Sequence, residues 1–184
     1  MTGLASRFLA LTAVRLDSVR GARWEEFDLE ERIWRVPPAR LKLRRAKKDE
    51  ARFEHLVPLS AEAIDVLRAA DRIMSHQNAS TCTIMHNRLV FPGRSAEQPI
   101  GEGAIGELYK RAGFGGRHVP HGWRASFSTI LNEQLGPEWS SAIDAALGHA
   151  KSDKVEAAYN RAQLLDRRRH VLEHWAELLT SIAN

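Results

Sequence analysis

The sequence predicts a mainly helical fold with one small antiparallel β-sheet, an α+β architecture. Three observations carry this. Apolar residues recur at helical spacing through most of the chain, from Leu4, Phe8 and Leu11 to Trp175, Leu178, Leu179 and Ile182. Two short β-prone runs, residues 32–36 and 52–57, each end against a proline. From His121 onward the chain reads as helix after helix.

The elements follow in order. Leu4, Phe8 and Leu11, with Leu9 and Val14, predict a buried helix over 4–14, running almost to Arg15. A short helix is expected after Asp17, ending near Trp24. The two strands flank a basic, apolar-poor segment, 40–51, which should sit in their connection. Ser60 is suited to cap a helix over 61–76, with Glu62 at the favourable dipole end and Ile64, Leu67, Ala70 and Met74 on the inner face. Residues 77–88 read as a loop, and Leu89–Val90–Phe91 as a brief extended piece before Pro92–Gly93. A helix over 101–112 is expected to end at the glycines at 113, 115 and 116. Phe127, Ile130 and Leu131 continue the helix that starts near His121. Pro137 can open the next, which carries Trp139, Ile143, Ala146 and Leu147. A short helix over 154–161 would bear Tyr159, and 163–182 is amphipathic.

Composition bounds the function. The chain has 184 residues, enough for one domain with a proper core, and no linker-like stretch divides it. No run of about 18 apolar residues is present and no secretory leader pattern opens the chain, so a cytoplasmic protein is expected. The lone Cys82 excludes an internal disulfide and a four-cysteine zinc site. Lys and Arg total 27 against 23 Asp and Glu. The excess is modest, but it gathers at 40–48 and 167–169, as a polyanion such as DNA would favour. For each cluster alone a solvated charged face explains the pattern as well.

Chemistry enters through an ordered set: Arg15, Lys42, His121, Arg124, His149 and Tyr159. Moving a phosphodiester places negative charge on its non-bridging oxygens. Two arginines can clamp those oxygens bidentately with charges that do not titrate away. A tyrosine hydroxyl, with a free pKa of about 10, needs a cationic setting to attack. A lysine among other cations can protonate the leaving oxygen. No metal or other cofactor is needed for this chemistry. Taken singly each residue is unremarkable: His-x-x-Arg is a weak motif, and a lone tyrosine usually half-fills a core. The order and the flanking residues make the set specific.

Those flanks resemble the tyrosine recombinases, in particular the phage-type and genomic-island integrases. Leu11–Thr–Ala–Val–Arg15 followed by Ala22–Arg–Trp24 is similar to the family's first-arginine motif. Trp34–Arg–Val–Pro37, Arg40–Leu–Lys42 and His55–Leu–Val–Pro–Leu–Ser60 resemble the hairpin that carries the lysine. Val90–Phe–Pro92, His121–Gly–Trp–Arg124–Ala–Ser–Phe127, Ala146–Leu–Gly–His149, Ala158–Tyr–Asn–Arg161, Arg167–Arg–Arg169 and Trp175 complete the likeness across the chain.

The resemblance implies the recombinase catalytic-domain fold and site-specific DNA recombination, as in phage or mobile-element integration and excision. Tyr159 would be the nucleophile that forms a 3′-phosphotyrosine. Arg15 and Arg124 would hold the scissile phosphate and Lys42 would be the general acid. His121 would assist as acid or base, and His149 would hydrogen-bond the phosphate. The partner would be double-stranded DNA, bound by a homotetramer, with the isolated domain a monomer, and the last helix could pack on a neighbouring protomer. Residues 1–184 would be the catalytic domain, without the family's core-binding and arm-binding domains, which would leave DNA binding weak and poorly specific. The family usually has an acidic residue three positions after the first arginine. Ser18 stands there, beside Asp17, which removes a support expected for Arg15. The rival readings are a decayed remnant that binds DNA without catalysis, a type IB topoisomerase or telomere resolvase, and a helical interaction module with a basic face.

Overall fold

Phe8 lies at the centre of the molecule because its helix does. The apolar repeat builds α1 (Thr2–Thr12), which packs on α2, α3, α4 and α7. The computed structural model describes residues 1–41, 54–77, 88–148 and 160–181. After α1 come α2 (Leu16–Arg20), a 3₁₀ turn (Trp24–Glu26), β1 (Phe27–Asp28), β2 (Ile33–Val36), a 3₁₀ turn (Pro38–Arg40), β3 (His55–Pro58) and α3 (Ala61–Gln77). Then follow α4 (Ala104–Tyr109), a π turn (Lys110–Phe114), α5 (Gly122–Leu135), a 3₁₀ turn (Pro137–Trp139), α6 (Ser140–Ala146) and α7 (Asn160–Ser181). Among the described residues this is the helical fold with one small sheet that the sequence predicts. Among the described residues no helix is long and apolar enough to cross a membrane.

The sheet is antiparallel in the order β1–β2–β3, with Phe27 opposite Trp34, Trp34 opposite Val57 and Val36 opposite His55. Strand β1 was not foreseen, because two residues are too few to show a period. Its Phe27 stacks on Trp34 with centroids 5.2 Å apart. Phe8 meets Trp34 and Phe91, each at 5.5 Å. Across α1, Trp175 of α7 lies edge-on to Phe127 of α5 at 5.4 Å and donates its indole N–H to the Ala10 carbonyl at 2.8 Å. Aromatic pairs of this kind add to the burial of the rings themselves.

Ser60 caps α3 as expected, its hydroxyl accepting the Ala63 N–H at 3.2 Å. Two helices are shorter than predicted. The second runs only from Leu16 to Arg20, and the chain then turns through Trp24–Glu26. The helix expected over 101–112 gives way after Tyr109 to a π turn, where Gly113 takes φ 85°. The last helix runs from Asn160, and its buried Val171, Leu172, Trp175 and Ala176 close the core of its own chain. The predicted basic connection beyond Leu41, residues 78–87 of the predicted loop with Cys82, and residues 149–159, which include most of the predicted tyrosine helix, lie outside the described residues.

Because Phe8 touches aromatic side chains from both strand and loop, Phe8→Ala should cost about 3–5 kcal/mol. Urea denaturation at neutral pH measures this, and a loss below about 1 kcal/mol would mean that the aromatic cluster does not hold the core together.

Candidate active site

Helix α1 ends on a residue that pays for its geometry. Ala13 is buried and left-handed, with φ 48° and ψ 22°, and its N–H caps the Leu9 carbonyl at 2.9 Å. A left-handed alanine costs about 1–2 kcal/mol. The reversal turns the Ala13 carbonyl toward α5, where it accepts Nη1 of Arg124 at 2.8 Å. Two residues on, Arg15 is extended and opens α2, its carbonyl receiving the Ser18 N–H at 3.0 Å.

Arg124 lies in the first turn of α5 and is 5% exposed. Its Nη2 donates to the Leu147 carbonyl at 2.8 Å. The guanidinium plane is thus fixed between the end of α1 and the end of α6. Burial, with the neighbouring Arg15 cation, lowers its pKa to about 10, so it remains charged at neutral pH. His121 precedes the same helix, is exposed, and takes the Arg124 N–H on its carbonyl at 3.1 Å.

Arg15, His121 and Arg124 line one open pocket of about 400 Å³ together with Ala125, Ser128 and Leu147. Three of the six residues of the ordered set therefore meet. Lys42, His149 and Tyr159 lie outside the described residues. The chain enters the segment with Lys42 directly after Leu41, reaches His149 directly after Gly148, and leaves Tyr159 into Asn160 at the start of α7. Two guanidinium groups and an imidazole on one concave surface make a site for an anion with several oxygens, such as a phosphodiester.

Ser18 is buried, and its carbonyl accepts Nη1 of Arg40 at 3.4 Å. Arg40 pairs through Nη2 with Glu26, whose other carboxylate oxygen accepts the Trp34 indole N–H at 2.9 Å. Burial raises the Glu26 pKa and lowers that of Arg40, against their mutual attraction. The arginine crosses α2 over Gly21, where a Cβ would come within 2.8 Å of Arg40 Cδ. Arg40 opens the 40–48 run, for which DNA contact and a solvated charged face are equal readings from sequence; in the fold it is a strut that joins α2 to Glu26 beside the sheet.

The 167–169 cluster also differs from its reading as a single cationic patch. Arg168 is buried and donates Nη1 to the Leu56 carbonyl at 2.8 Å, and burial lowers its pKa to about 10. Arg167 lies over the Trp139 ring at 4.7 Å and donates to the Glu138 carbonyl, while Arg169 donates to the Glu31 carbonyl at 3.0 Å. Helical phase separates neighbours by about 100°, so three adjacent arginines face three different surroundings.

The phage integrase family model matches residues 2–164. The chain belongs to the phage integrase family. It is 34% identical over 170 residues to prophage integrase IntA of Escherichia coli (strain K12), which covers 92% of this chain and 36% of the relative. It is also 34% identical over 177 residues to the integrase of Shigella phage Sf6, covering 96% of this chain and 41% of that protein. The chain thus spans about two-fifths of the length of these integrases. A solved structure, the Tn1549 transposon integrase in complex with circular intermediate DNA, shares the fold, with a TM-score of 0.58 at 16% identity over 88% of this chain and 59% of the other. The predicted catalytic-domain fold of the tyrosine recombinases is therefore the fold observed.

Sequence reasoning gave no role to one further residue near the pocket. His55 on β3 donates Nε2–H to the Ala146 carbonyl at 3.1 Å, since a carbonyl can only accept. Burial pushes its pKa from 6.5 down to about 4; Arg168 and Arg124 act in the same direction and the Ala146 bond opposes them. Only its place before Val57–Pro58 in the hairpin motif set it apart in the sequence. An imidazole kept neutral in the fold loses stability when the unfolded chain binds the proton first. Its contribution is complete above the unfolded value of 6.5 and is lost as pH falls toward 4. The stability difference between the parent and His55→Gln should therefore shift by about 2 kcal/mol, against the parent, between pH 7.5 and pH 5. Urea titrations at both pH values check this, and an unchanged difference would show that His55 protonates freely in the fold.

Proposed function

We propose that this integrase-family domain cleaves and rejoins DNA strands in site-specific recombination, through a 3′-phosphotyrosine on Tyr159. The observation that carries the reading is the shared pocket of Arg15, His121 and Arg124, with one guanidinium immobilised by two carbonyls. In the reaction the Tyr159 oxygen attacks phosphorus as the bond to the 5′ oxygen breaks. Lys42 gives that oxygen its proton. Rejoining reverses the step, with a 5′ hydroxyl attacking the phosphotyrosine and the tyrosine oxygen leaving. Arg15 and Arg124 hold the non-bridging oxygens, where fixed donors matter most as charge builds. His121 assists as the base that takes the Tyr159 proton on cleavage and as the acid that returns it on rejoining, and His149 adds a hydrogen bond to the phosphate.

Double-stranded DNA is the partner this chemistry requires. The Tn1549 integrase, which has the same fold, was solved with DNA. We assign strand exchange to a homotetramer acting in the cytoplasm. Residues 1–184 then serve as the catalytic domain, and duplex selection falls to core-binding and arm-binding domains of the kind the family resemblance implies.

On a nicked suicide duplex the chain should form a covalent DNA adduct, resolved as a shifted band on a denaturing gel. Tyr159→Phe should abolish it, and an adduct from the Phe variant would refute the assignment of the nucleophile. Arg124→Lys should slow adduct formation by about 10²-fold, because one ammonium cannot span Ala13 and Leu147 as the guanidinium fork does. A rate close to the parent's would show that charge alone suffices at this position.

A further inference from the structure

Arg124 is held by the turn that ends α6, and that turn has a second side-chain support. Nη2 of Arg124 takes the Leu147 carbonyl, and Nε2 of His55 takes the carbonyl of the residue before it, Ala146. Gly148 then turns the chain with φ 71°, and its Cα faces the same imidazole: a Cβ built there would lie 3.5 Å from the His55 ring. Leu147 also lines the pocket. The two carbonyls are consecutive, so a shift of one moves the other.

His55 is itself well anchored. It pairs with Val36 across β2, and the next carbonyl along β3, that of Leu56, is held by Arg168 of α7 at 2.8 Å. The same Arg168 donates Nε to the Leu164 carbonyl within its own helix at 3.2 Å. A rigid path therefore runs from α7 through β3 and His55 to the α6 turn, and from there to the guanidinium. His55 does not line the pocket and reaches it through backbone alone.

We propose that His55 is a positioning residue for Arg124, setting the plane of its guanidinium through the Ala146–Leu147 turn. The claim rests on the strand-cleavage reading for its effect on catalysis, and on the fold alone for its effect on Arg124. Misplacing a group by about 1 Å at such a site can cost about 10²-fold in rate.

The test compares single and double variants of the full chain on the nicked suicide duplex. His55→Gln keeps an N–H that can reach Ala146 and should retain most of the adduct-forming rate. His55→Leu fills similar space without a donor and should lose about 10²-fold, with duplex affinity within twofold of the parent. If His55→Leu does not fold, His55→Asn, which is polar but too short to reach, takes its place with the same expected loss. In an Arg124→Lys background, where the fork is already gone, the same substitution should cost little. An equal loss in both backgrounds, equal damage from Gln and Leu, or a His55→Leu rate within twofold of the parent would each overturn the proposal.

Arginine side-chain NMR on the DNA-free protein separates this idea from the functional reading. The Arg124 Nε–Hε signal should be sharp in the parent and in His55→Gln, and broadened in His55→Leu. If the parent forms no adduct, the cleavage reading fails and this signal decides the positioning claim: broadening sustains it, and an unchanged signal refutes it.

Discussion

A buried guanidinium held by two carbonyls is the constraint on which the site depends. Arg124 is 5% exposed and charged at neutral pH, so its loss of hydration must be met by fixed acceptors. The acceptors come from Ala13 and Leu147, far apart in sequence and each at a helix end. Carbonyls at helix ends lack partners within the helix and carry the negative end of its dipole. The arginine satisfies both ends at once, and in doing so fixes the angle between α1, α5 and α6. The left-handed Ala13 follows from this arrangement, because without that reversal its carbonyl would continue along α1.

Around this centre the molecule repeats one device: an arginine that donates to backbone across elements. Arg40 reaches Ser18, Arg168 reaches Leu56, and Arg20 reaches the Ile100 carbonyl at 2.9 Å. A planar fork with several donors can bridge segments in ways that an ammonium cannot. Such struts matter because the helices near the site are short, with α2 five residues long and α6 seven. Helices of that length do not hold themselves straight by their own hydrogen bonds. Stiffness around the pocket of Arg15, His121 and Arg124 therefore comes from cross-links rather than from helical length. The Glu26–Arg40 pair carries a desolvation cost, but its place between the first-arginine helix and the sheet gives it a mechanical role that packing alone would fill less specifically.

The sequence by itself determined the helical periods, the Ser60 cap, the two longer strands and the family, because each of these is written in neighbouring residues. Arg15, His121 and Arg124 could be named from order and flanks, yet nothing local said that they would line one pocket. The first support for Arg15 was sought in an acidic residue at position 18. Only the tertiary structure showed what stands there instead: a buried serine whose carbonyl bonds Arg40, itself paired with Glu26. The charged runs were least legible, for a physical reason: an arginine reads the same in sequence whether it faces DNA, a carbonyl or a carboxylate. Burial and the direction of distant backbone groups separate the pocket-lining guanidinium from the strut, and folding alone supplies both.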